Sequence, residues 1–537
     1  MLSGLSVPFL LLVALAFYIR RKRLDNLPLP PGPKGYPIIG NIFDMPQAYA
    51  WITYSKWAKK YGDVMHIRVL GNSTIILNSL KAAMELLDKR SSNYSDRPRM
   101  VMASELMDWG WDFAHMNYAD DWRRHRRRFH QYFQPRNLQT FYPIQKKFTV
   151  NLLEQLLKTP DKFQDHIKQH VSSIVLNAGY GYEVEAENDF YIALVHKAVQ
   201  PLLHVVHAGN YLVDYIPALK HIPSEISSLD FQVMTRETLQ FRSLTSEIGW
   251  FPGAKFKTDA AIWAVDIRNL VDIPFEMVKK DISKGVAKRS FVYDSLDKLK
   301  TDGVEDRYEE EIIKNCAGMT TTLMQAWILA MANYPEVQNK AQAEIDKVVG
   351  RNRLPDFNDR PSMPFVEAML QEAMRWGLVT PLALPHRVIR EDVYEGYRIP
   401  AGATVVANVW AILHDKDLYP EPFKFEPERF MTGGGGTQVA LDPGVAGGFG
   451  YGRRICPGRY LATNTAWLAM ASILSAFDIL KAIDANGNVI EPVVEFTDGL
   501  NSHPKPYEVR FAPRSSDTKN FIDTSKLEVS TVSAQSL

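Results

Sequence analysis

The chain has 537 residues, of which 46% are hydrophobic and 11% aromatic, enough apolar material for a large buried core. Lysine and arginine number 62 and aspartate and glutamate 61, so the formal net charge is +1 and no overall field favours nucleic acid as a partner. Only two cysteines are present, which excludes a disulfide framework and suits a reducing compartment. A functional cysteine here would act as a nucleophile or a metal ligand.

The N-terminus differs sharply in composition from the rest of the chain. Residues 2–19 carry no charge, and the basic run RRKR follows at 20–23. This apolar run approaches the ~20 residues that cross a bilayer as a helix. A secretory signal peptide is the competing interpretation, but no small-residue cleavage site precedes the basic run. The sequence therefore predicts a membrane anchor over 1–23, with the rest of the chain on the cytoplasmic side.

The chain beyond the anchor predicts a mainly α protein with small β-sheets, an α+β fold. Strand patterns flank a turn at Gly71-Asn72 and recur in the patch 392–412. From about 80 to 350 the patterns are mostly helical and amphipathic. A further apolar helix is predicted over 458–480.

Three boundaries complete the predicted organisation. The proline-rich stretch 24–37 enforces extended backbone and forms a stiff spacer. One interwoven domain is predicted over 38–514. The polar residues 515–537, which are low in aromatics, are predicted to be a disordered tail.

The second cysteine lies in FGYGRRICPGRY, residues 449–460. Its glycines permit unusual backbone angles and the close approach of a flat group. Pro457 suits the first turn of a helix, which places Cys456 at a helix N-terminus. Unpaired N–H groups and the helix dipole there favour the thiolate, the form that binds metal. A lone buried cysteine is ordinarily structural, but here the complete F-x-x-G-x-R-x-C-x-G spacing surrounds it.

This spacing resembles the haem-ligand signature of the cytochrome P-450 family, here represented by five residues: Phe449, Gly452, Arg454, Cys456 and Gly458. The resemblance implies that Cys456 is the axial thiolate ligand of haem b iron and that Phe449 and Gly458 contact the cofactor. It also implies the family's fold, in which haem lies between a long central helix and the cysteine loop.

Two further motifs resemble the segments that form a charge-paired cluster behind the haem in the same family. EAMR supplies Glu372 and Arg375, and PERF supplies Arg429. An E-x-x-R pair alone is an ordinary helix-surface pair. The order of the motifs and their spacing to Cys456 favour the family's buried cluster behind the haem, with a structural and not a catalytic role.

The basic stretch DDWRRHRRRFH, residues 120–130, resembles the family's W-x-x-x-R. The resemblance implies that Trp122 and Arg126 hold a haem propionate, with Arg387 and Arg454 as further contacts. A propionate needs a forked cationic donor, which arginine provides. The competing interpretation is a solvated basic helix. The remaining arginines are expected to face solvent and to steer an acidic reductase: Arg123, Arg124, Arg127 and Arg128.

The stretch AGMTTT, residues 317–322, resembles the family's oxygen-side motif A-G-x-(D/E)-T-T, so Thr320 and Thr321 are the candidate catalytic residues. The expected carboxylate, which would assist proton delivery, is missing in either register. About eight helical residues, or ~12 Å, are also missing relative to similar fungal sequences. Residues 224–249 stand as an insertion. Together these departures favour a mis-joined gene model, with real divergence as the alternative.

The resemblance covers residues 28–513 and implies a haem-thiolate monooxygenase of fungal secondary metabolism. Such an enzyme sits in the endoplasmic reticulum membrane through a single span and takes electrons from NADPH through cytochrome P-450 reductase. It inserts one oxygen atom from O2 into a hydrophobic terpenoid, polyketide or aromatic molecule. The alternatives are a haem-thiolate isomerase or dehydratase, or a catalytically impaired relative. The apolar stretches 100–118 and 198–218 resemble substrate-facing segments.

Overall fold

A computed structural model describes residues 27–185, 188–206, 210–221, 255–302, 307–315, 323–432 and 439–535. The chain divides into two compact units, each built from separate stretches. The smaller unit comprises residues up to 98, Leu382–Ala411 and Tyr451–Arg453. The larger unit comprises the remaining residues, which carry most of the helices.

The smaller unit is organised around a four-stranded sheet of order β1-β2-β6-β3. The β1–β2 hairpin turns at Leu70 and Gly71, whose φ angles of 47° and 86° are both left-handed, as a tight hairpin requires. Strand β2 pairs with β6 in parallel, and β4 pairs separately with β5. Helix α1 is Ala50–Tyr61. The strands are β1 Val64–Val69, β2 Asn72–Leu77, β3 His386–Arg387, β4 Asp392–Tyr394, β5 Tyr397–Ile399 and β6 Thr404–Ala407.

The larger unit consists mainly of helices that pack around a buried apolar core. Its longer helices are α2 Asp120–Phe133, α3 Tyr142–Lys158, α4 Phe163–Tyr180, α5 Phe190–Val205, α6 Lys255–Lys284, α7 Phe291–Thr301, α8 Arg307–Asn315, α9 Leu323–Asn333, α10 Pro335–Val349, α11 Pro364–Trp376, α12 Arg459–Ala476 and α13 Thr518–Gln535. A small antiparallel sheet has the order β8-β7-β9, with β7 Phe477–Ile483, β8 Val489–Ile490 and β9 Val509–Pro513.

Short helical segments connect these elements. One-turn α-helices occur at Leu80–Ala83, Ser91–Tyr94, Leu212–Tyr215 and Val409–Leu413. Wider π-type turns occur at Met84–Lys89, Val101–Leu106 and Gly444–Gly448, and the last of these leads towards Cys456.

Helix α12 is the centre of the larger unit's core. Twelve of its eighteen residues are buried, because the helix is apolar on nearly all sides and is covered by α3, α10 and α11. Nine of the eleven residues of α9 are buried as well. The predicted mainly α architecture with small sheets is confirmed. Since α12 begins at Arg459, this rigid core sits directly behind the cysteine motif.

The structure contradicts the predicted transmembrane helix. Within the part of the chain that the structure describes, no helix is both long enough and apolar enough to cross a bilayer. The longest, α6, is amphipathic and carries charged residues along its length. Residues 1–23, to which the prediction assigned the span, lie outside the described residues. The predicted single-pass placement in the endoplasmic reticulum membrane depended on that helix and has no support from the described residues.

The structure also places a helix, α13, within the tail that the composition predicted to be disordered. Its attachment is specific: Ile522 is buried in the main core, and Lys526 forms an ion pair with Glu154 of α3 at 2.6 Å. A single well-placed aliphatic side chain gives too weak a periodic signal to be recognised in a polar segment.

Candidate active site

The loop before α12 holds Cys456 through a succession of tight turns. The Asp442 carboxylate accepts a hydrogen bond from the Gly444 N–H at 2.7 Å, which starts the turn Gly444–Gly448. Gly450 has a φ of 78°, a left-handed conformation that other residues adopt only with strain. The Cys456 N–H then donates to the Phe449 carbonyl at 2.8 Å. The loop therefore closes on itself and fixes the backbone at the cysteine.

The surroundings of the Cys456 thiol act on its pKa in opposite directions. Burial is the largest influence and leaves the pKa raised, although the N–H groups of Gly458 and Arg459 and the charges of Arg126 and Arg459 act to lower it. The N–H groups act in the direction predicted for a helix N-terminus, but they do not outweigh burial. A Cβ atom added to Gly458 would meet no atom within 4 Å, so there is open space at this glycine, two residues after the cysteine. When a thiol binds a metal ion, the ion itself deprotonates it.

Arg126 is the second component of this site. It lies on α2, and burial lowers the pKa of its guanidinium to about 10. Within the described residues, no hydrogen bond or ion pair joins its guanidinium to a carboxylate. A partly buried arginine without an acidic partner among the described residues, close to a partly buried thiol, fits a cofactor that carries both a carboxylate and a metal ion. The donor set is therefore compatible with haem.

Trp122 and Arg454 form a stacked pair at the same site. Trp122 is buried one helical turn before Arg126, and the Arg454 guanidinium lies 4.4 Å from its ring centroid. The two terminal nitrogens of Arg454 donate to the carbonyls of Phe113 and Met116, at 3.1 and 2.6 Å. Arg454 therefore fastens the segment before α2 to the cysteine loop, a contact that the sequence did not indicate.

The fourth predicted propionate contact, Arg387, lies in strand β3 of the smaller unit. Its guanidinium is 3.4 Å from the Asp96 carboxylate, and the side chain is 41% exposed. This long, partly hydrated pairing leaves the guanidinium less constrained than a bidentate pair would. Its contribution to cofactor binding stays a prediction.

The structure brings Glu372, Arg375 and Arg429 together. Glu372 and Arg375 form a bidentate pair at 2.7 and 2.8 Å, and the Arg429 Nε is 3.2 Å from the Glu372 carboxylate. Glu372 and Arg375 have no exposed area. The second guanidinium edge of Arg375 donates to three backbone carbonyls, those of Leu413, Pro422 and Lys424. A buried charge cluster whose donors are this fully occupied suits a structural role.

Two of the arginines expected to face solvent are instead paired. Arg124 and Arg128 both contact the Glu309 carboxylate of α8, at 2.5 and 2.7 Å. Only Arg123 and Arg127 are exposed, and Arg123 pairs with Asp120 of its own helix. The prediction failed for the first two because Glu309 is distant in sequence, and no local pattern announces such a pair.

The candidate catalytic residues Thr320 and Thr321 lie outside the described residues, as do Cys316 and the insertion 224–249. Their roles stay predictions from the sequence.

Arg459 is a site residue that the sequence analysis did not single out. Its guanidinium donates to the Cys456 carbonyl at 3.0 Å and to the Tyr460 hydroxyl at 2.7 Å. Its position directly after the C-x-G motif was the available signal.

Comparison with known proteins agrees with this geometry. The family model described as cytochrome P-450 matches residues 30–511. Tryptamine 4-monooxygenase of Psilocybe cyanescens is 37% identical over 520 residues, which cover 95% of this chain and 97% of the relative. A cytochrome P-450 monooxygenase of Armillaria gallica is 39% identical over 519 residues, covering 94% and 96% of the two chains. A third fungal monooxygenase, from Rhodocybe pseudopiperita, is 38% identical, covering 95% and 94%.

Proposed function

Since the chain belongs to the cytochrome P-450 family, we propose that it inserts one oxygen atom from O2 into a hydrophobic small molecule of secondary metabolism. The enzyme class follows from the family: the protein is a monooxygenase with a haem-iron cofactor ligated by a cysteine thiolate. The observation that carries the proposal is the partly buried thiol of Cys456 near Arg126, a partly buried cation without an acidic partner among the described residues.

The proposed cofactor is haem b. Cys456 would hold the iron, and Trp122, Arg126, Arg387 and Arg454 would bind the propionates. Bound haem supplies oxygen activation, and electron donation from the thiolate favours cleavage of the O–O bond. The chain's own contribution is to keep the thiol fixed, through the Cys456 N–H bond to Phe449, and to neutralise the propionate charge.

An apolar cluster in the larger unit supports a hydrophobic substrate. It joins the segments 100–118 and 198–218 predicted to face substrate, and both pack against α6. Trp109 and Trp111 are stacked with ring centroids 5.2 Å apart. Apolar segments of this kind are suited to contact apolar molecules, which bind by excluding water and are oriented by ring contacts. Terpenoid, polyketide and aromatic molecules all fit this description.

The electron source is proposed to be NADPH, through cytochrome P-450 reductase. The family implies a separate redox partner. Arg127, which is exposed on α2, is the proposed contact for an acidic partner surface. Arg127→Glu should slow reduction by the reductase about fivefold or more at low salt, with a smaller effect at high salt. Arg351→Glu, at an exposed arginine after α10, is the control. Equal reduction rates for both variants would refute this docking role.

Thr320 and Thr321 are proposed to steady oxygen on the substrate side. Because the adjacent carboxylate is missing from 317–322, an isomerase or dehydratase that needs no proton delivery is the second candidate. Product formation that requires neither NADPH nor reductase would favour it. Turnover that depends on the reductase would favour the monooxygenase.

The central test is the spectrum of the ferrous carbon-monoxide complex of the purified full chain. The wild type should show the red-shifted band of a thiolate ligand, and Cys456→Ser should lose it. Cys316→Ser, at the chain's other cysteine, should retain it. Loss of the band in Cys316→Ser alone would overturn the assignment of the ligand.

A further inference from the structure

Tyr419 lies between the buried charge cluster and the cysteine loop. Its side chain is fully buried, and its ring centroid is 5.5 Å from the Arg375 guanidinium carbon. The hydroxyl donates a hydrogen bond to the Leu441 carbonyl at 2.9 Å. Burial raises the pKa of Tyr419, so the hydroxyl keeps its proton and remains a donor.

From Leu441 the backbone continues to Cys456, and separate hydrogen bonds fix it at several points; this series is called the relay below. The neighbouring Ala440 N–H donates to the Arg429 carbonyl at 2.8 Å. Asp442 then caps the turn Gly444–Gly448, and this turn leads to Phe449, whose carbonyl accepts from Cys456. Two anchors, one on each of two consecutive residues, therefore tie the start of the loop to the charge cluster.

The two anchors differ in what supports them. The Arg429 carbonyl belongs to the cluster segment itself, because the Arg429 side chain contacts Glu372. Tyr419 precedes that segment, and its ring is held by contact with Arg375, whose nitrogens are already occupied by the Glu372 carboxylate and by carbonyls. The rigid ring of Tyr419 therefore links Arg375, which is held in place, to the Leu441 carbonyl, and so limits where Leu441 can lie.

We propose that Tyr419 is a positioning residue that holds the cysteine loop in register with the buried charge cluster, and so keeps the Cys456 thiolate at the distance and angle that haem iron requires. This inference rests on the proposed ligand role of Cys456. The new element is the link through Tyr419, which contacts Arg375 with its ring and Leu441 with its hydroxyl.

Tyr419→Phe tests the inference, because it keeps the ring against Arg375 and removes only the bond to Leu441. In the haem-loaded full chain, haem should transfer to an acceptor protein about five- to tenfold faster than from the wild type, as expected for the loss of one partly buried hydrogen bond. The carbon-monoxide complex should contain a larger share of the form without thiolate ligation. Amide hydrogen exchange at Cys456 should accelerate by a similar factor.

Tyr507→Phe is the matched control. Tyr507 is also buried in the larger unit, with 9% of its surface exposed, and its hydroxyl donates to the Gln325 carbonyl at 2.6 Å, away from the loop. It should lower the melting temperature without changing haem transfer or exchange at Cys456. Equal effects of the two variants on the loop would reduce Tyr419 to a stability residue and overturn the inference.

Asp442→Asn tests the same series of hydrogen bonds at a second position if Tyr419→Phe does not fold. It weakens the acceptor for the Gly444 N–H and should also speed haem transfer and exchange at Cys456, by a smaller factor. No change in either measurement would overturn the relay. If the wild type itself lacks the thiolate band, the proposed function fails. If the wild type shows the band but Tyr419→Phe leaves the loop unchanged, only the positioning role fails.

Discussion

Two arginines of the larger unit, Arg375 and Arg126, differ in how the protein satisfies their guanidinium groups. Arg375 donates to a carboxylate and three carbonyls and is completely enclosed. Arg126 is partly buried, yet within the described residues it has no carboxylate partner, and its pKa is lowered by burial. The guanidinium of Arg375 therefore has its partners within the protein, whereas that of Arg126 has no carboxylate partner among the described residues.

The difference shows that the partners of a charged side chain within the protein indicate whether it has a structural or a binding role. A charge whose donors are all occupied by the protein has its desolvation cost offset within the fold. A charge without such partners raises the energy of the folded protein until an anion binds. Stability measurements should therefore separate the two arginines by sign, and not only by size.

The largest effect is expected from breaking the completed cluster. Glu372→Gln removes the carboxylate charge that faces Arg375 and Arg429, which leaves Arg375 without an anion and Arg429 with only the partly exposed Glu426. The free energy of unfolding should fall by roughly 3–5 kcal/mol, measured by denaturant titration. Glu367→Gln is the control on the same helix, because its pairing with Arg360 is partly exposed, and should cost at most ~1 kcal/mol. Similar losses in both variants would show that the cluster is no more important than a surface pair.

An intermediate case, Asp214, sharpens the comparison, because its partners are neutral. Its carboxylate accepts the Met102 N–H at 2.9 Å, and burial raises its pKa to about 6. The folded protein holds the proton more tightly than the unfolded chain, so stability falls as pH rises from about 4 to about 6 and the cost persists above that range. Asp214→Asn keeps an acceptor without the charge. It should gain on the order of 2–3 kcal/mol at pH 7 and nothing near pH 4, measured by thermal unfolding.

The control for this pH dependence is Asp484, an exposed carboxylate whose pKa is lowered by its bond with the Asn488 side chain. Its stabilising contribution is present at neutral pH and is lost as pH falls, so Asp484→Asn should shift stability in the opposite direction. Parallel pH profiles for the two aspartate variants would contradict the assignment for Asp214.

The smallest change in stability, but with reversed sign, is expected at Arg126. Arg126→Met removes a partly buried cation and should stabilise the haem-free protein by roughly 1–2 kcal/mol, after allowance for solvent screening. The same variant should lose haem faster. Arg126→Lys should recover little haem retention, because lysine lacks the fork that binds a carboxylate at two points. Destabilisation of the haem-free protein by Arg126→Met would place Arg126 with the structural arginines.

The sequence could indicate those candidate site residues that lie within short local motifs. Cys456 and Arg126 each stand in a short pattern whose spacing is set by one loop or one helix. The meeting of Arg429 with Glu372 was predicted only through the family resemblance, since no spacing rule joins residues on separate segments. The helical and strand patterns likewise predicted the fold class, because periodicity depends on local geometry.

The parts that escaped prediction depend on the path of the chain. The bond from Tyr419 to Leu441 and the contacts of Arg124 and Arg128 with Glu309 join separate segments. Helix α13 has one strongly buried aliphatic residue, Ile522, in a polar segment, too little for a periodic signal. These contacts are selected by packing, so sequence patterns of 3.6 or 2 residues carry no trace of them.

Helix α2 gives these contacts a shared consequence. Trp122 and Arg126 are four residues apart on one face, whereas Arg124 and Arg128 occupy the opposite face and grip Glu309 of α8. If Trp122 and Arg126 bind haem as proposed, α2 contacts the cofactor on one face and α8 on the other, and the two contacts are thermodynamically linked. If the ion pairs with Glu309 strengthen haem binding by holding α2 in place, then bound haem must strengthen those ion pairs by the same free energy.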